Sequence, residues 1–270
     1  MGLLSSIDPL FLALVPVVAL LYASVGHGGA SGYLALMALF SVAPAEMKTT
    51  ALLLNLFVAG IAFVQYRRAG HFRWKLFLPF AIASVPAAFL GGLISVDEAI
   101  YRRVLAALLL FAVWRIVQRP AERDEAQRDV PLWAALLAGG SIGFFSGMIG
   151  IGGGILLSPL ILLMGWSDLR GTAAVSALFI WANSLAGITG SLLSGQAITA
   201  GMWPLVALAV VGGLAGAWYG SFRAADRPLS YLLAAVLMVA GGKLFLTGSD
   251  GRPAQEHPNS NQWVGTTFHQ

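Results

Sequence analysis

Residues 149–154 read Ile-Gly-Ile-Gly-Gly-Gly, and residues 25–30 read Val-Gly-His-Gly-Gly-Ala. Each stretch lies between two apolar runs, and neither continues into the Lys-Ser/Thr ending of a phosphate-binding loop. Adjacent glycines weaken a helix, so the chain is expected to break at Gly28 and Gly29, and again at Gly152, Gly153 and Gly154. If the apolar runs span a bilayer, such breaks must be covered by protein or line a cavity. An unpaired backbone N–H in hydrocarbon costs several kcal/mol. The fold therefore turns on whether these runs are membrane spans.

Composition answers that they are. The 270 residues are 58% hydrophobic and 10% charged, with a mean hydropathy of +0.79. Soluble domains carry about 25% charged residues, so a water-soluble enzyme of this length is excluded. At about 20 apolar residues per span, the length accommodates roughly ten helices and no separate extramembrane domain. The net charge of +4 comes from 16 Lys and Arg set in short polar gaps, which reads as topogenic charge rather than a nucleic-acid surface. With no cysteine, disulfides, thiolate metal sites and thiol nucleophiles are absent.

Apolar periodicity and Gly, Pro and charge punctuation give ten segments: 9–25, 28–43, 48–66, 75–96, 100–117, 131–148, 152–166, 171–194, 202–222 and 228–247. The first reads as a span rather than a cleavable signal, because no Lys or Arg precedes it. The charged stretch 118–130 (QRPAERDEAQRDV) separates a first repeat, 1–117, from a second, 131–247. Residues 248–270 form a polar tail that is expected to be disordered. The halves match in order: a glycine cluster after the first segment of each, then a short run, a long run and a fourth with small-residue clusters at 87–92 and 212–217. An odd number of crossings per repeat inserts the second copy upside down, the logic of inverted-repeat transporters. The expected class is thus an all-α polytopic membrane protein of two inverted repeats, with Gly-broken helices meeting near the midplane.

If all ten segments cross, one side receives Arg67, Arg68, Arg73, Lys75, Arg115, Arg119, Arg123, Arg128, Arg170, Arg223 and Arg227. The other receives Lys48, Arg102, Arg103, Lys243 and Arg252. The positive-inside rule then makes the first side cytoplasmic. A re-entrant second and seventh segment weakens the bias and moves the termini to the basic side.

A helix that starts after bare glycines offers free N–H groups and the positive end of its dipole, an anion site without Lys or Arg. A cation site would call for buried carboxylates, and no Asp or Glu lies well inside a segment; residues 171–222 contain no charged side chain. The competing reading is that the glycines let helices touch. Their occurrence at corresponding places in both halves favours a binding site. Of four histidines only His27 sits in apolar sequence, either as a proton-coupling or anion-donating group or as a structural cap. Asn55 and Asn183, inside long apolar segments, serve as interhelical glue or as cavity donors. Ser31 and Tyr33 are further candidates. Glu46, Lys48, Asp168 and Arg170 read as solvated turn residues or ion pairs. Trp74, Trp133, Trp166 and Trp203 read as an interfacial belt.

The segments Gly26-His27-Gly28-Gly29-Ala30-Ser31-Gly32-Tyr33-Leu34 and Gly147-Met148-Ile149-Gly150-Ile151-Gly152-Gly153-Gly154-Ile155-Leu156-Leu157-Ser158-Pro159 resemble the two signature regions of the TauE/SafE sulfite exporter family, also described as toluene-sulfonate uptake permeases. The resemblance covers about residues 10–247. It implies a bacterial inner-membrane permease for small sulfur-containing or organic anions such as sulfite, sulfoacetate or sulfonates. Two departures stand out: His27 where a small or apolar residue is common, and no proline in the first half at the place of Pro159.

The sequence thus points to a secondary transporter of small anions, with proton coupling as an option. His27, Gly28, Gly29, Ser31, Asn55, Gly152, Gly153, Gly154 and Asn183 form its expected substrate site. No cofactor, metal or nucleic acid is expected; the lipid bilayer is the expected surroundings, and a homo-oligomer is compatible. A passive anion channel and a non-transporting assembly subunit are the alternatives. An enzyme is disfavoured by the lack of HExxH or paired carboxylates.

Overall fold

The computed structural model describes residues 8–117 and 129–222, together with residue 238. These residues form nine helices and no strand: α1 (Pro9–Ala23), α2 (Ala30–Leu39), α3 (Pro44–Arg68), α4 (Trp74–Leu93), α5 (Glu98–Val117), α6 (Leu132–Ile149), α7 (Gly154–Leu163), α8 (Leu169–Leu193) and α9 (Met202–Phe222). The expected tenth segment (save residue 238), most of the charged linker and the polar tail lie outside the described residues.

Local chemistry explains the helix starts. The Asp8 carboxylate accepts from Leu10 N–H at 2.8 Å ahead of Pro9, and Asp168 accepts from Gly171 N–H at 3.0 Å at the head of α8. α2 and α7 instead begin behind Gly29 and Gly153, whose φ of 95° and 81° are left-handed. Each of these two helices has only ten residues, a rise of about 15 Å or half the hydrocarbon thickness. Helices within Glu46–Arg68, Trp74–Leu93, Leu132–Ile149, Leu169–Leu193 and Met202–Phe222 are long and apolar enough to cross a membrane. Their outward faces carry large apolar side chains, Ile82, Leu137, Val211 and Trp218 among them. On a water-soluble protein such faces would be an aggregation hazard; in lipid they are the expected surface.

Two glycine ladders bring helices into backbone contact. A methyl group on Gly139, Gly143 or Gly147 of α6 would meet the carbonyls of Phe80, Ser84 or Ala88 of α4. On Gly212, Gly216 or Gly220 of α9 it would meet those of Pro16 and Leu20 of α1 or of Ser24 at its C-terminal end. Spacing by four keeps each ladder on one helix face. Because both indices rise together, α6 runs parallel to α4 and α9 parallel to α1. Close contact replaces the hydrophobic drive that lipid does not supply.

Two expectations about turn residues and the belt are corrected. Lys48 is buried rather than solvated, with no ion pair among the described residues: its ammonium donates to the carbonyls of Gly92 at 2.9 Å and Ile94 at 3.2 Å, at the C-terminus of α4. The negative end of the α4 dipole receives the charge. Trp166 is also buried, packed against the Phe80 ring at 5.8 Å, whereas Trp74, Trp133 and Trp203 are exposed.

Candidate functional site

The two breaks share two left-handed positions and differ at a third, Gly152 with φ 71°, where Gly28 of the first break is not left-handed. Gly26 and Gly150 have φ of 74° and 92°, and Gly29 and Gly153 follow three residues later, again left-handed. The chain therefore leaves α1 or α6, turns, and enters α2 or α7 with buried, unpaired donors. Among the described residues, the N–H groups of Gly28, Gly29, Gly152 and Gly153 donate to no acceptor, nor do those of Ala30 and Ser31 or Gly154 and Ile155 in the first turns. These are the orphan donors of a helix start.

The two breaks, far apart in sequence, converge on one pair of side chains. A methyl on Gly28 would meet Asn55 first and Ile180 Cγ2 at 3.0 Å. On Gly152 it would meet Asn55 Nδ2 at 2.5 Å, Ile180 Cγ2 at 2.8 Å and Ser184 Oγ at 3.2 Å. Asn55 of α3 thus stands between the breaks, fully buried, donating from Nδ2 to Ser184 Oγ at 3.3 Å while Oδ1 has no partner among the described residues. A half-turn of the amide exchanges donor and acceptor. Each break also has a buried hydroxyl without a partner among the described residues: Tyr33 beside Gly29, and Ser146 beside Gly153.

A small open pocket, with room for about one water, is lined by Tyr22, His27, Gly28, Gly29, Ala30, Ser31, Ile151, Ile155 and Ile180. Its polar wall is the first break and its apolar wall belongs to the second half. The Tyr22 hydroxyl and Ser31 Oγ are hydrogen-bonded at 2.7 Å. His27 is half-buried. Its Nδ1 lies 3.0 Å from the Val25 carbonyl, which can only accept, so Nδ1 carries a hydrogen. Its Nε2 lies 3.1 Å from Ser158 Oγ of α7, which lies 2.7 Å from Ser176 Oγ of α8.

Of the expected site residues, His27, Gly28, Gly29 and Ser31 line the cavity. Gly152 abuts Asn55 behind them, and Gly154 faces the His27 ring, whose Cδ2 a methyl there would meet at 3.2 Å. Gly153 packs against Ser146. Asn183 is buried with both amide atoms unpartnered among the described residues, but it does not line the cavity. Sequence reasoning did not single out Tyr22, Ile180 or Ser158. No group of three or more His, Cys, Asp or Glu able to hold a metal occurs among the described residues.

Residues 11–244 match the family described as Sulfite exporter TauE/SafE. A probable membrane transporter of Sinorhizobium fredii is 41% identical over 234 residues, covering 84% of this chain and 94% of the relative. A second probable membrane transporter, from a Sinorhizobium species, is 28% identical over 216 residues, covering 78% and 81%. A third, from Methanocaldococcus jannaschii, is 26% identical over 135 residues, about half of each chain. No solved structure matches. Apolar spans, paired glycine breaks and these likenesses together make the chain a multi-pass membrane transporter that belongs to the sulfite exporter TauE/SafE family.

Proposed function

We propose that the protein carries small sulfur-containing or organic anions, of the sulfite, sulfoacetate or sulfonate kind, through a site where its two glycine breaks meet. The observation that carries this reading is Asn55, buried between Gly28 and Gly152, whose Oδ1 has no partner among the described residues; a half-turn of the amide would put the donor Nδ2 in its place. The unpaired N–H groups of the first break line a pocket without a carboxylate among its lining residues, and the second break meets the first at Asn55 and Ile180. Such donors suit an oxyanion, and the dipoles of α2 and α7 add positive potential. Gly28, Gly29 and Gly152 to Gly154 supply backbone donors, Asn55 and Ser31 supply side-chain donors, and Asn183 is a reserve donor on α8. His27 is the group on which a proton could travel with the anion.

The helix directions support an inverted repeat. α6 pairs in parallel with α4, and α9 in parallel with α1, so that each half's first helix lies along the fourth of the other. Two copies related by an axis in the membrane plane would make this reciprocal exchange. Tyr66, Phe72, Ala173 and Ala174 pack together, so the end of α3 and the start of α8 share one end of the bundle. Arg67, Arg68, Arg73, Lys75 and Arg170 belong to that end by sequence, and we place it on the cytoplasmic side of a bacterial inner membrane.

The test is labelled sulfite flux into liposomes holding the purified protein, with and without an inward pH gradient, competed by sulfoacetate, sulfate and chloride. Saturable flux, reduced by sulfoacetate and raised by the gradient, is the expected result. Non-saturating conduction blind to pH would point to a channel. No flux of any anion from folded protein would point to an assembly role.

A further inference from the structure

We propose that His27 is charged and discharged through a hydroxyl relay, Ser158 and Ser176 continued by Thr172, which gives the proton a route separate from the anion's. This rests on the transport reading above and adds to it the residues and direction of coupling. Neither serine lines the cavity, and both are buried.

The tautomer fixes the direction of the hydrogen bonds. With Nδ1–H held by the Val25 carbonyl, neutral His27 has only Nε2 as acceptor, and Ser158 is the hydroxyl that faces it. Ser158 therefore donates to Nε2 and accepts from Ser176. A proton delivered to Ser176 Oγ passes that atom's own hydrogen to Ser158, and Ser158 passes its hydrogen to Nε2. One proton enters, each serine keeps one hydrogen, and His27 becomes an imidazolium donating back to Ser158. The reverse order discharges it.

Beyond Ser176, the Thr172 hydroxyl lies one turn nearer the start of α8, buried and without a partner among the described residues. Residues four apart share a helix face about 5–6 Å apart, and in the proposed relay one water crosses that gap. A further turn along the same face reaches Asp168, exposed at the helix head. The line Asp168, Thr172, Ser176 thus leads inward from the end of the bundle that holds the Tyr66 and Phe72 cluster. The groups facing His27 from the packed elements are Tyr22 of α1, with ring centres 6.5 Å apart, Gly154 and Ser158 of α7, and Ile180 and Ser176 of α8 near them. Tyr22 is the other titratable residue of the cavity wall, and its hydroxyl is engaged by Ser31.

Because the relay avoids the anion's donors, it separates exchange from accumulation. Ser158→Ala and Ser176→Ala proteoliposomes are expected to keep sulfite counterflow, which needs no net proton, within about twofold of wild type. Accumulation driven by a pH gradient falls at least about tenfold, as does the internal acidification read by a trapped pH dye. Thr172→Val gives a partial loss and serves where a serine variant does not fold. Gradient-driven accumulation at the wild-type level in both serine variants, or loss of counterflow with intact thermal stability, would overturn the relay. A readout independent of transport is nitrogen NMR of the imidazole, assigned by His27→Gln. The neutral ring carries its hydrogen on Nδ1, and Ser158→Ala moves its titration midpoint. A hydrogen on Nε2, or an unmoved midpoint, would overturn the relay even if sulfite proves not to be carried.

Discussion

Gly152→Val is expected to lower sulfite flux by roughly 10²-fold while leaving the protein in the membrane. Gly152 has φ +71°, and any Cβ there would press on Asn55 Nδ2, Ile180 and Ser184 together. The substitution displaces the amide between the two breaks and covers their free N–H groups. Even Gly152→Ala should lose much of the flux, because the crowding begins at the first carbon. Backbone strain alone does not account for the loss. Gly70 has φ +80° with nothing within 4 Å of a Cβ, so Gly70→Ala carries similar strain, about 1–2 kcal/mol, and should keep flux near wild type. Flux assays on variants matched for liposome content make the comparison.

Gly147→Leu is expected to prevent stable assembly, with a cost above about 3 kcal/mol. A methyl at Gly147 already overlaps the Ala88 carbonyl, and Gly139 and Gly143 hold α6 against α4 in the same way. A branched side chain must push two helix backbones apart over the whole ladder. Gly140→Ala on the same helix should be tolerated, because its methyl would meet only Ala83 Cβ at 3.7 Å. Thermal unfolding in detergent, followed by the monodisperse fraction, separates the two.

The spans were legible because hydrocarbon allows few alternatives: nine of the ten expected segments are helices, and most boundaries shift by a few residues. The largest shifts are informative. Segments 28–43 and 152–166 shrink to Ala30–Leu39 and Gly154–Leu163, trimmed at the start by the left-handed Gly29 and Gly153 and at the end by turns holding the left-handed Ser41 and Gly165. α3 gains a turn at Pro44, which the polar residues Glu46 and Lys48 concealed; Lys48 reads as solvated until its carbonyl partners on α4 are seen. An apolar count cannot reveal a charge satisfied by a helix C-terminus.

In the site, Gly28, Gly29, His27 and Asn55 carried their own signal, as helix breakers, a titratable group and an amide in apolar surroundings. What escaped was the pairing between halves. Ser158 is an ordinary helix residue beside Pro159 until it meets His27, 131 positions away in sequence. Ile180 carries no polar signal, yet it packs against Gly28, Gly152 and Gly154. Such contacts depend on how the two repeats interlock, which local periodicity does not encode.

The central claim is that an anion binds where the breaks meet around Asn55. Equilibrium binding of labelled sulfite to the detergent-purified protein, wild type against Asn55→Leu, tests it most directly. Saturable binding to wild type, competed by sulfoacetate and reduced at least about tenfold in the variant, is the predicted result. Undiminished binding by folded Asn55→Leu, or no saturable binding by wild type, would contradict it.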